Sequence, residues 1–582
     1  MKSKRFIAVF IIILIISPFT NLFSQEKLGK YNTSWSNVIP GKVITDPIIT
    51  SYGFCVVTDG RMLSAFSNDG KLLWEKPTYS SKYVQISCIN EDFIILWDKR
   101  KSSLKLFNPS GTLLWDKTLD YEVSNMPLMG RDGRFFITGE NVIECYSING
   151  ICKWSYKTDT QKGLPLKELP DGSVLVFLTE TEGKTNAIRL SPFGQYLESI
   201  TFAGTVIKAY TLPEGVFLTF DDGSSGLFSL VNGLSENKWV LGVKPSNSYL
   251  IADNKNTLFL ELYNDRIVVD KINVADGNIT NQFTVKNING LDLQLAKLNN
   301  SGLFLADSTI CYIINMDGSI NYTAYMLEDK GSTRWNYVIY TRDNHIVYCL
   351  ENWTLNAYLT SQVRYNTNVK INGTYKEYYN IDTSPYSYNF TETINRNIAS
   401  LERFNTLKEG YYGEDEIIYA SDIYSFCVAY LESVSRQFSS KNVSIFDKDA
   451  YGTECVLKQL PLLCTNESAS YLAKLIGKTK NKSNLNIIIN SCIQCGYDPD
   501  GKILKEIEIA LSKINHKDIL LMQNICDAVY SICYFMGRPA FNLRGKNIIT
   551  TFFNPQFDAS IREYAKNTLI KITALENNKF TE

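Results

Sequence analysis

The chain is poor in histidine: His345 and His516 are the only two among its 582 residues. A serine–histidine or cysteine–histidine nucleophile system needs an imidazole beside its nucleophile. His345 precedes a predicted strand and His516 stands at a predicted helix start, which is typical of turn or capping residues. A site built from several histidines is excluded by number. We therefore predict no catalytic residue and no enzymatic activity.

An excess of charge of either sign is also missing, because 59 Lys and Arg residues face 60 Asp and Glu residues. Nucleic-acid binding normally needs a basic footprint, so we predict no nucleic-acid partner. No two of the 13 cysteines are adjacent, and no glycine loop of the phosphate-binding type occurs. The odd number of cysteines leaves at least one thiol without a partner inside the chain.

Long apolar runs are confined to the N-terminus. Met1–Arg5 is basic, Phe6–Ile16 is apolar, and a plausible cleavage site follows Ser24. This is the layout of a secretory signal peptide, and the run is short for a membrane span of about 20 residues. We predict that residues 1–24 are removed and that the protein is exported, periplasmic or secreted. An uncleaved anchor is the alternative. No cysteine near the cut offers a site for lipid attachment.

A short phrase recurs along the first part of the chain: "NDGKLLW", "PSGTLLW" and "INGICKW". Its glycines continue at intervals of 41, 39, 44, 39, 44 and 41 residues, at Gly70, Gly111, Gly150, Gly194, Gly233, Gly277 and Gly318. Tryptophans follow four of these glycines, at Trp74, Trp115, Trp154 and Trp239. Such a period is typical of repeat architectures.

Each unit reads as four short strands separated by glycine or Asp-Gly turns. Four strands in about 40 residues is the layout of a β-propeller blade. Residues 335–359 supply only three strands of a last unit, and the segment around Trp35 can supply the fourth. We therefore predict a propeller over residues 31–359 with eight blades, and seven is the alternative. The repeated tryptophans are interpreted as packing residues between neighbouring sheets.

These units resemble the PQQ-like repeat, "DG-x-x-x-W", of quinoprotein dehydrogenases and of the outer-membrane assembly lipoprotein BamB; WD-like propellers share the four-stranded blade. The resemblance covers somewhat over half the chain. It implies the structure of the blade and not the binding of a cofactor. The quinoprotein enzymes add a vicinal disulfide, a calcium site and long inserts, and no positions here match them. We therefore predict no cofactor and no metal. The lipid-attachment cysteine of BamB is also missing.

Residues 360–395 are polar and aperiodic, and we interpret them as a linker. From residue 397 to 582 apolar residues recur at three- and four-residue steps, which predicts helices. Two segments, "INSCIQCGYDPDGKILKEIEIAL" and "VYSICYFMGRPAFNLRGKNIITTFF", align with an offset of about 40 residues. This is similar to HEAT-type α-solenoid repeats, in which helix pairs stack into a binding surface. A plain helical bundle is the alternative.

Cys492 and Cys495 have redox or metal spacing, but they close an apolar helix and supply two of the four ligands of a structural zinc site. We interpret them as core residues. The neighbouring "YDPDGKILKE" fails the spacing of a calcium loop, so Asp500 is predicted to cap the following helix.

Both modules present broad surfaces without visible catalytic groups. We therefore predict a non-enzymatic interaction scaffold of the cell envelope, with envelope or surface proteins as partners. Membrane association would come only through partners or an uncleaved signal. Two alternatives remain: a quinone- or metal-dependent oxidoreductase with degenerate ligands, or a sensor that binds a small molecule or glycan in the propeller channel.

Overall fold

In a computed structural model the chain has a strand-rich part followed by a helical part. The structure describes residues 25–28, residues 35–359 with short gaps, residue 464, and residues 466–577 apart from 480, 481 and 515. The predicted signal peptide (1–24), the predicted linker (360–395) and all of residues 397–463 lie outside the described residues.

The strand-rich part contains 33 described strands. They are β1 (Gln25–Leu28), β2 (Trp35–Val38), β3 (Ile48–Thr50), β4 (Gly53–Val57), β5 (Met62–Phe66), β6 (Leu72–Pro77), β7 (Val84–Ile89), β8 (Phe93–Asp98), β9 (Ser103–Phe107), β10 (Leu113–Thr118), β11 (Leu128–Met129), β12 (Arg134–Thr138), β13 (Val142–Ser147), β14 (Cys152–Lys157), β15 (Gly163–Glu168), β16 (Val174–Thr179), β17 (Thr185–Leu190), β18 (Tyr196–Phe202), β19 (Val206–Leu212), β20 (Gly215–Phe220), β21 (Ser225–Ser229), β22 (Asn237–Val240), β23 (Ser248–Ala252), β24 (Thr257–Leu262), β25 (Arg266–Ile272), β26 (Ile279–Lys286), β27 (Leu295–Asn299), β28 (Gly302–Ala306), β29 (Ile310–Ile314), β30 (Ile320–Met326), β31 (Trp335–Tyr340), β32 (His345–Leu350) and β33 (Thr354–Leu359).

Strands β3–β30 form seven sheets of four consecutive antiparallel strands, and β1 adds to the last of them in parallel with β30. The first strand of each sheet contacts the first strand of the next, from β3 and β7 through to β23 and β27. Sheets arranged in this way around a common centre are the blades of a β-propeller. The predicted propeller is confirmed, with seven blades of consecutive strands.

A further four-stranded sheet combines β31–β33 with the N-terminal strand β2. Trp35 pairs with Ala357 and Val38 with Thr354, in antiparallel register. The pairing of an N-terminal strand with the last strands was predicted from the position of Trp35. The structure shows seven blades of consecutive strands and not the predicted eight. An eighth blade would require that this further sheet belong to the same ring.

The sequence of the middle strands explains why the blades must stack. Every residue of β4 and of β8 is buried, whereas the outer strand β10 exposes three of its six residues. A strand that is apolar throughout needs cover on both faces. Neighbouring blades supply that cover, and the outer strand β10 has one face toward solvent.

The helical part contains six described helices. They are α1 (Asn466–Lys478), α2 (Lys482–Cys495), α3 (Lys502–Leu511), α4 (Ile519–Met536), α5 (Pro539–Thr551) and α6 (Ala559–Asn577). Helix α1 packs on α3, while α2 packs on α4 and α4 on α6. Alternate helices therefore contact one another, which places them in two layers.

Contacts between alternate helices repeat along the chain. Asn524 donates to Asn486 at a separation of 38 residues, and Ser531 donates to the carbonyl oxygen of Ile493 at the same separation. The Tyr564 hydroxyl donates to the Asp527 carboxylate, 37 residues away. Successive helix pairs are thus related by a nearly constant number of residues.

Helix α3 begins differently from the prediction. The Asp498 carboxylate accepts hydrogen bonds from the backbone N–H groups of Ile503 and Leu504, at 3.1 and 3.0 Å. Asp500 instead forms a surface ion pair with Lys502. The prediction that Asp500 caps this helix was wrong, because the left-handed turn at Gly501 brings the earlier aspartate under the helix N-terminus.

Helix α4 is long and apolar enough, by length and composition, to cross a membrane, and it is the one such helix in the described ranges. Half of it is buried inside the protein. Its buried side chains, among them Met522, Ile525 and Val529, pack between the neighbouring helices. This is the pattern of a core helix.

Candidate interaction surfaces

Each tryptophan of the repeat covers the turn glycine of the following blade. A methyl group placed on Gly111 would lie 2.6 Å from the indole of Trp74, and one on Gly150 would lie 3.1 Å from the indole of Trp115. The same arrangement joins Trp35 with Gly70, Trp154 with Gly194, and Trp239 with Gly277. These glycines have φ near +75 to +80°, so both the backbone and the ring above them favour glycine.

The indole N–H groups extend this contact between blades. Trp74 donates to the carbonyl oxygen of Pro109 and Trp115 to that of Ile148, both at 2.8 Å. Trp35 and Trp239 donate to Asn68 and Val274 in the same way. The buried N–H of a large side chain is therefore satisfied by the neighbouring blade.

One predicted repeat position departs from this arrangement. Gly318 meets the side chain of Phe283 rather than a tryptophan, which explains how the turn persists after the tryptophan is lost from the sequence. Gly233 lies outside the described residues. The sequence analysis did not predict that each tryptophan contacts the glycine of the next blade. The nearly constant interval between each tryptophan and that glycine could have indicated it.

The helical part packs against the second and third blades (β7–β10 and β11–β14). One continuous apolar cluster contains Phe93 of β8 and Phe135 of β12 together with residues of all six helices. The Phe93 ring lies 6.2 Å from the ring of Tyr497 and 5.7 Å from that of Phe535. The two parts of the protein therefore share a core.

Polar contacts fix the same junction. The Asn108 side-chain amide donates to the carbonyl oxygen of Tyr534 at 2.9 Å. Its own oxygen accepts from the backbone N–H groups of Ser110 and Thr112. Arg538, just after α4, forms an ion pair with the buried Asp92. Because buried charges need partners, these contacts favour one position of the helical part on the blades.

A group of exposed tyrosines and cations lies between the first and second blades. We call it the tyrosine–cation patch, and its members are Arg61, Tyr79, Lys82, Tyr83, Lys99, Arg100 and Lys101. Tyr79 is 71% exposed and Tyr83 is 47% exposed. The Arg100 guanidinium lies 5.1 Å and the Lys82 amine 5.2 Å from the centre of the Tyr83 ring. Aromatic rings flanked by cations in this way form a surface that is both apolar and positive.

Asp98 holds the patch in shape. This carboxylate is fully buried, and it accepts hydrogen bonds from the Ser81 hydroxyl at 2.6 Å and from the backbone N–H of Arg100 at 3.1 Å. The loop before β7 is thereby tied to the 3₁₀ turn Lys99–Lys101. Since the oxygens of Asp98 point inward, the five cations of the patch face solvent without this carboxylate beside them.

The backbone of the patch is strained. Three of its residues or direct neighbours have left-handed backbone angles without being glycine: Arg61 at φ 62°, Tyr79 at φ 52° and Ser102 at φ 46°. Such conformations cost of order 1–3 kcal/mol each and collect at binding and catalytic sites. The Lys101 amine, which donates to the Tyr79 carbonyl oxygen at 2.7 Å, helps to hold one of them.

The patch and the helical junction lie at opposite ends of the second blade. Strand β8 runs from Phe93, in the junction, to Asp98, next to the patch, and β9 leads back to Asn108. Six residues of extended strand span about 17 Å. The patch is therefore separated from the junction by about the length of one strand.

Within the described residues, no group of three or more His, Cys, Asp or Glu side chains is placed to hold a metal ion. His516 lies in the turn between α3 and α4, where its Nε2 is 3.1 Å from the Leu511 carbonyl oxygen and its ring lies tilted, 4.3 Å from the ring of Phe557. His345 begins β32. The structure does not bring the two histidines into one described site.

Cys492 and Cys495 are both buried in the helical core, and burial raises the pKa of the Cys492 thiol well above its usual range. Cys145 and Cys152 are separate thiols. A bulge in the β13–β14 hairpin places Cys152 opposite Tyr146.

Comparison with known proteins gives solved structures only. BamB from Moraxella catarrhalis is 13% identical over 57% of this chain and 98% of its own, with a TM-score of 0.41. The likeness is one of fold. The computationally designed protein Ika8 matches at 9% identity over 56% of this chain and 98% of its own, with a TM-score of 0.43.

Sqt1 from Chaetomium thermophilum, in its structure bound to the N-terminus of the ribosomal protein L10, is 10% identical over 55% of this chain and 100% of its own, with a TM-score of 0.41. No protein-family profile matches the chain, and no curated protein is significantly similar to it. The propeller is established by the sheets described above.

Proposed function

We propose that the chain is a non-enzymatic interaction scaffold of the cell envelope that binds protein partners through its propeller and helical surfaces. The tyrosine–cation patch carries this proposal, since it is exposed, fixed by a buried carboxylate and strained. Tyrosine and arginine are the residue types that most often dominate binding energy at protein interfaces. A surface with these properties serves recognition better than packing.

The charge of the patch indicates the chemistry of the partner. Five exposed cations surround two exposed tyrosines, so an acidic protein segment with an apolar or aromatic residue complements the patch best. Complementary charge speeds association and excludes partners of like charge. Envelope or surface proteins with such acidic segments are the proposed partners.

Export is part of the same proposal. The basic and apolar N-terminal segment has the layout of a signal peptide. Strand β1 begins at Gln25, the residue that follows the predicted cut, so cleavage would leave the whole strand in place beside β30. The proposed location is the periplasm or the cell surface.

We also propose that the sheet of β2 and β31–β33 is an eighth blade of PQQ-like type. Trp35 of this sheet lies on Gly70 of the first blade, as Trp74 lies on Gly111 of the second. The Asn37 side chain donates to the Gly70 carbonyl oxygen. These contacts support closure of the ring between the last sheet and the first; a seven-bladed ring would leave them unexplained.

For the helical part we propose a HEAT-like solenoid. The two layers of alternate helices and the contacts repeated at 37 to 38 residues support stacked helix pairs. We do not extend the proposal to an oxidoreductase or a ligand sensor, because no feature of the described residues favours either.

Photo-crosslinking in intact cells tests the scaffold proposal. A photoreactive amino acid replaces Tyr79 in the full-length chain, and the control replaces Tyr196, which is 54% exposed on the outer strand β18. We expect position 79 to form adducts with a defined envelope protein, joined at an acidic segment, and position 196 to form none with it. Equal adducts from both positions, or none from position 79, would contradict the proposal.

A further inference from the structure

Two thiols of the helical part lie side by side. Cys464 precedes α1 and Cys495 ends α2, and their sulfur atoms are 4.0 Å apart. Both residues are buried, with at most 1% exposure. The residue partnered with Cys495 is therefore 31 positions away along the chain, and it is not Cys492, which shares the redox spacing in the sequence.

We infer that Cys464 and Cys495 form a disulfide bond in the exported protein. Each thiol gives up its hydrogen and the two sulfur atoms form a single bond. The two protons and two electrons released reduce the disulfide of an exchange partner, an exported disulfide oxidoreductase or oxidised glutathione, to two thiols. The inference rests on the proposed export for its oxidising compartment.

The geometry requires little movement. A disulfide needs its sulfur atoms at about 2.05 Å, so they must approach by about half of their present separation. At present the Cys464 thiol lies against the Cys495 carbonyl oxygen and the Cys495 thiol against that of Tyr497, both at 3.6 Å. These are weak contacts that a bond would replace.

The bond would fix the segment around Cys464, which packs at the junction with the propeller. Cys464 belongs to the apolar cluster shared with the third blade, which includes Tyr146 and Ile148. Linking it to the end of α2 would fix the entry of α1 against the propeller. Cross-links of this loop length stabilise mainly by restricting the unfolded chain.

Burial also indicates when the bond forms. Burial raises the pKa of the Cys464 thiol well above its usual range, and the neighbouring Cys495 raises it further. Since the thiolate is the reactive form in disulfide exchange, the closed helical part resists oxidation. The bond is therefore expected to form during folding, before α1 and α2 close.

Peptide mapping tests this inference independently of where the protein resides. The full-length protein is purified, reduced, and refolded in a buffer of reduced and oxidised glutathione. Free thiols are then alkylated in denaturant without reductant, and the protein is digested and analysed by mass spectrometry. We expect a peptide pair that joins Cys464 to Cys495, lighter by two hydrogen atoms than the sum of its reduced halves. Alkylation of both residues, or a Cys492–Cys495 link, would overturn the inference.

A stability measurement gives a second readout. We expect reductant to lower the melting temperature of the refolded wild-type protein by roughly 5 °C or more, and to have no such effect on Cys464→Ser. Cys526→Ser, in which a buried thiol of α4 is removed instead, should keep the sensitivity to reductant. Equal melting temperatures for the wild-type protein with and without reductant would also overturn the inference. If no disulfide is found, the partner-binding proposal still stands, because the crosslinking at position 79 tests a different surface.

Discussion

The Asn108 side-chain amide, in the second propeller blade, donates a hydrogen bond of 2.9 Å to the Tyr534 carbonyl oxygen at the end of helix α4. The two residues are 426 positions apart. This bond crosses the junction between the blades and the helical part, beside the packed rings of Phe93 and Phe535. It makes the two modules one structural unit rather than two domains on a tether.

Replacing Asn108 should loosen this junction. We expect Asn108→Ala to cost about 1–3 kcal/mol, because the part-buried carbonyl oxygen of Tyr534 loses this hydrogen bond, and to speed amide hydrogen exchange near the end of α4.

Asn315 is the matched control, since it occupies the same turn position in the seventh blade and bonds to Ser319 within its own turn. Asn315→Ala should leave hydrogen exchange in α4 unchanged. Equal exchange rates in α4 for the two variants would contradict the assigned role of Asn108.

The contact between tryptophan and glycine predicts that alanine destabilises the protein more at one glycine position than at another. Gly111 and Gly183 both have positive φ, at 78° and 72°, so alanine costs about 1–2 kcal/mol of backbone strain at each. At Gly111 the new methyl group would also meet the ring of Trp74, whereas at Gly183 the nearest atom is 3.8 Å away.

We therefore expect Gly111→Ala to lower the free energy of unfolding by about 1–3 kcal/mol more than Gly183→Ala. Urea unfolding, followed by tryptophan fluorescence, measures the difference. Equal losses would mean that the Trp74 ring yields without cost, and the packing role assigned to the repeat would then fail.

Asp498 should make stability depend on pH. Burial raises the pKa of this carboxyl to about 6, against about 3.9 in an unfolded chain. Between these values the folded protein holds a proton that the unfolded chain has released, so the free energy of unfolding falls as the pH rises from about 4 to about 6. The loss should be about 2–3 kcal/mol and complete above that range.

Asp498→Asn removes the titration and should flatten the pH profile of stability in this window. Asp500→Asn is the matched control, because the exposed carboxylate of Asp500 pairs with Lys502 at the surface; it should largely keep the wild-type profile. Thermal unfolding at a series of pH values distinguishes the two. An unchanged profile for Asp498→Asn would show that other groups carry the dependence.

The sequence predicts the propeller because its signal is local and repeated. Glycine turns, short apolar runs and the Trp35 interval each depend on neighbouring residues, and together they predict both the blades and the pairing of β2 with β33. The blade count is harder to predict, because it depends on how the last sheet meets the first.

Features that depend on distant or unusual contacts could not be predicted. The choice of Asp498 over Asp500 follows from the left-handed backbone at Gly501, and Cys464 reaches Cys495 only through the packing of α1 on its neighbours. Tyr79 reads as an ordinary loop residue, since exposure and strain leave no pattern in the sequence. In the sequence, only the charged run Asp98–Lys101 could have indicated the patch.

The central claim, that the tyrosine–cation patch binds acidic protein segments, is tested most directly by fluorescence anisotropy. A labelled peptide rich in Asp and Glu, with one central Phe, is titrated with the full-length protein at low and at physiological salt. The variants are Arg100→Ala and Tyr79→Ala. Their controls are Arg266→Ala, which removes a half-buried arginine that lies over Tyr263 and pairs with Asp265, and Tyr196→Ala.

We predict saturable binding that weakens with salt, and a loss of at least about tenfold, or 1.4 kcal/mol, for each patch variant. Both controls should bind like the wild-type protein. Binding that is absent, or that falls equally in the patch and control variants, would contradict the account.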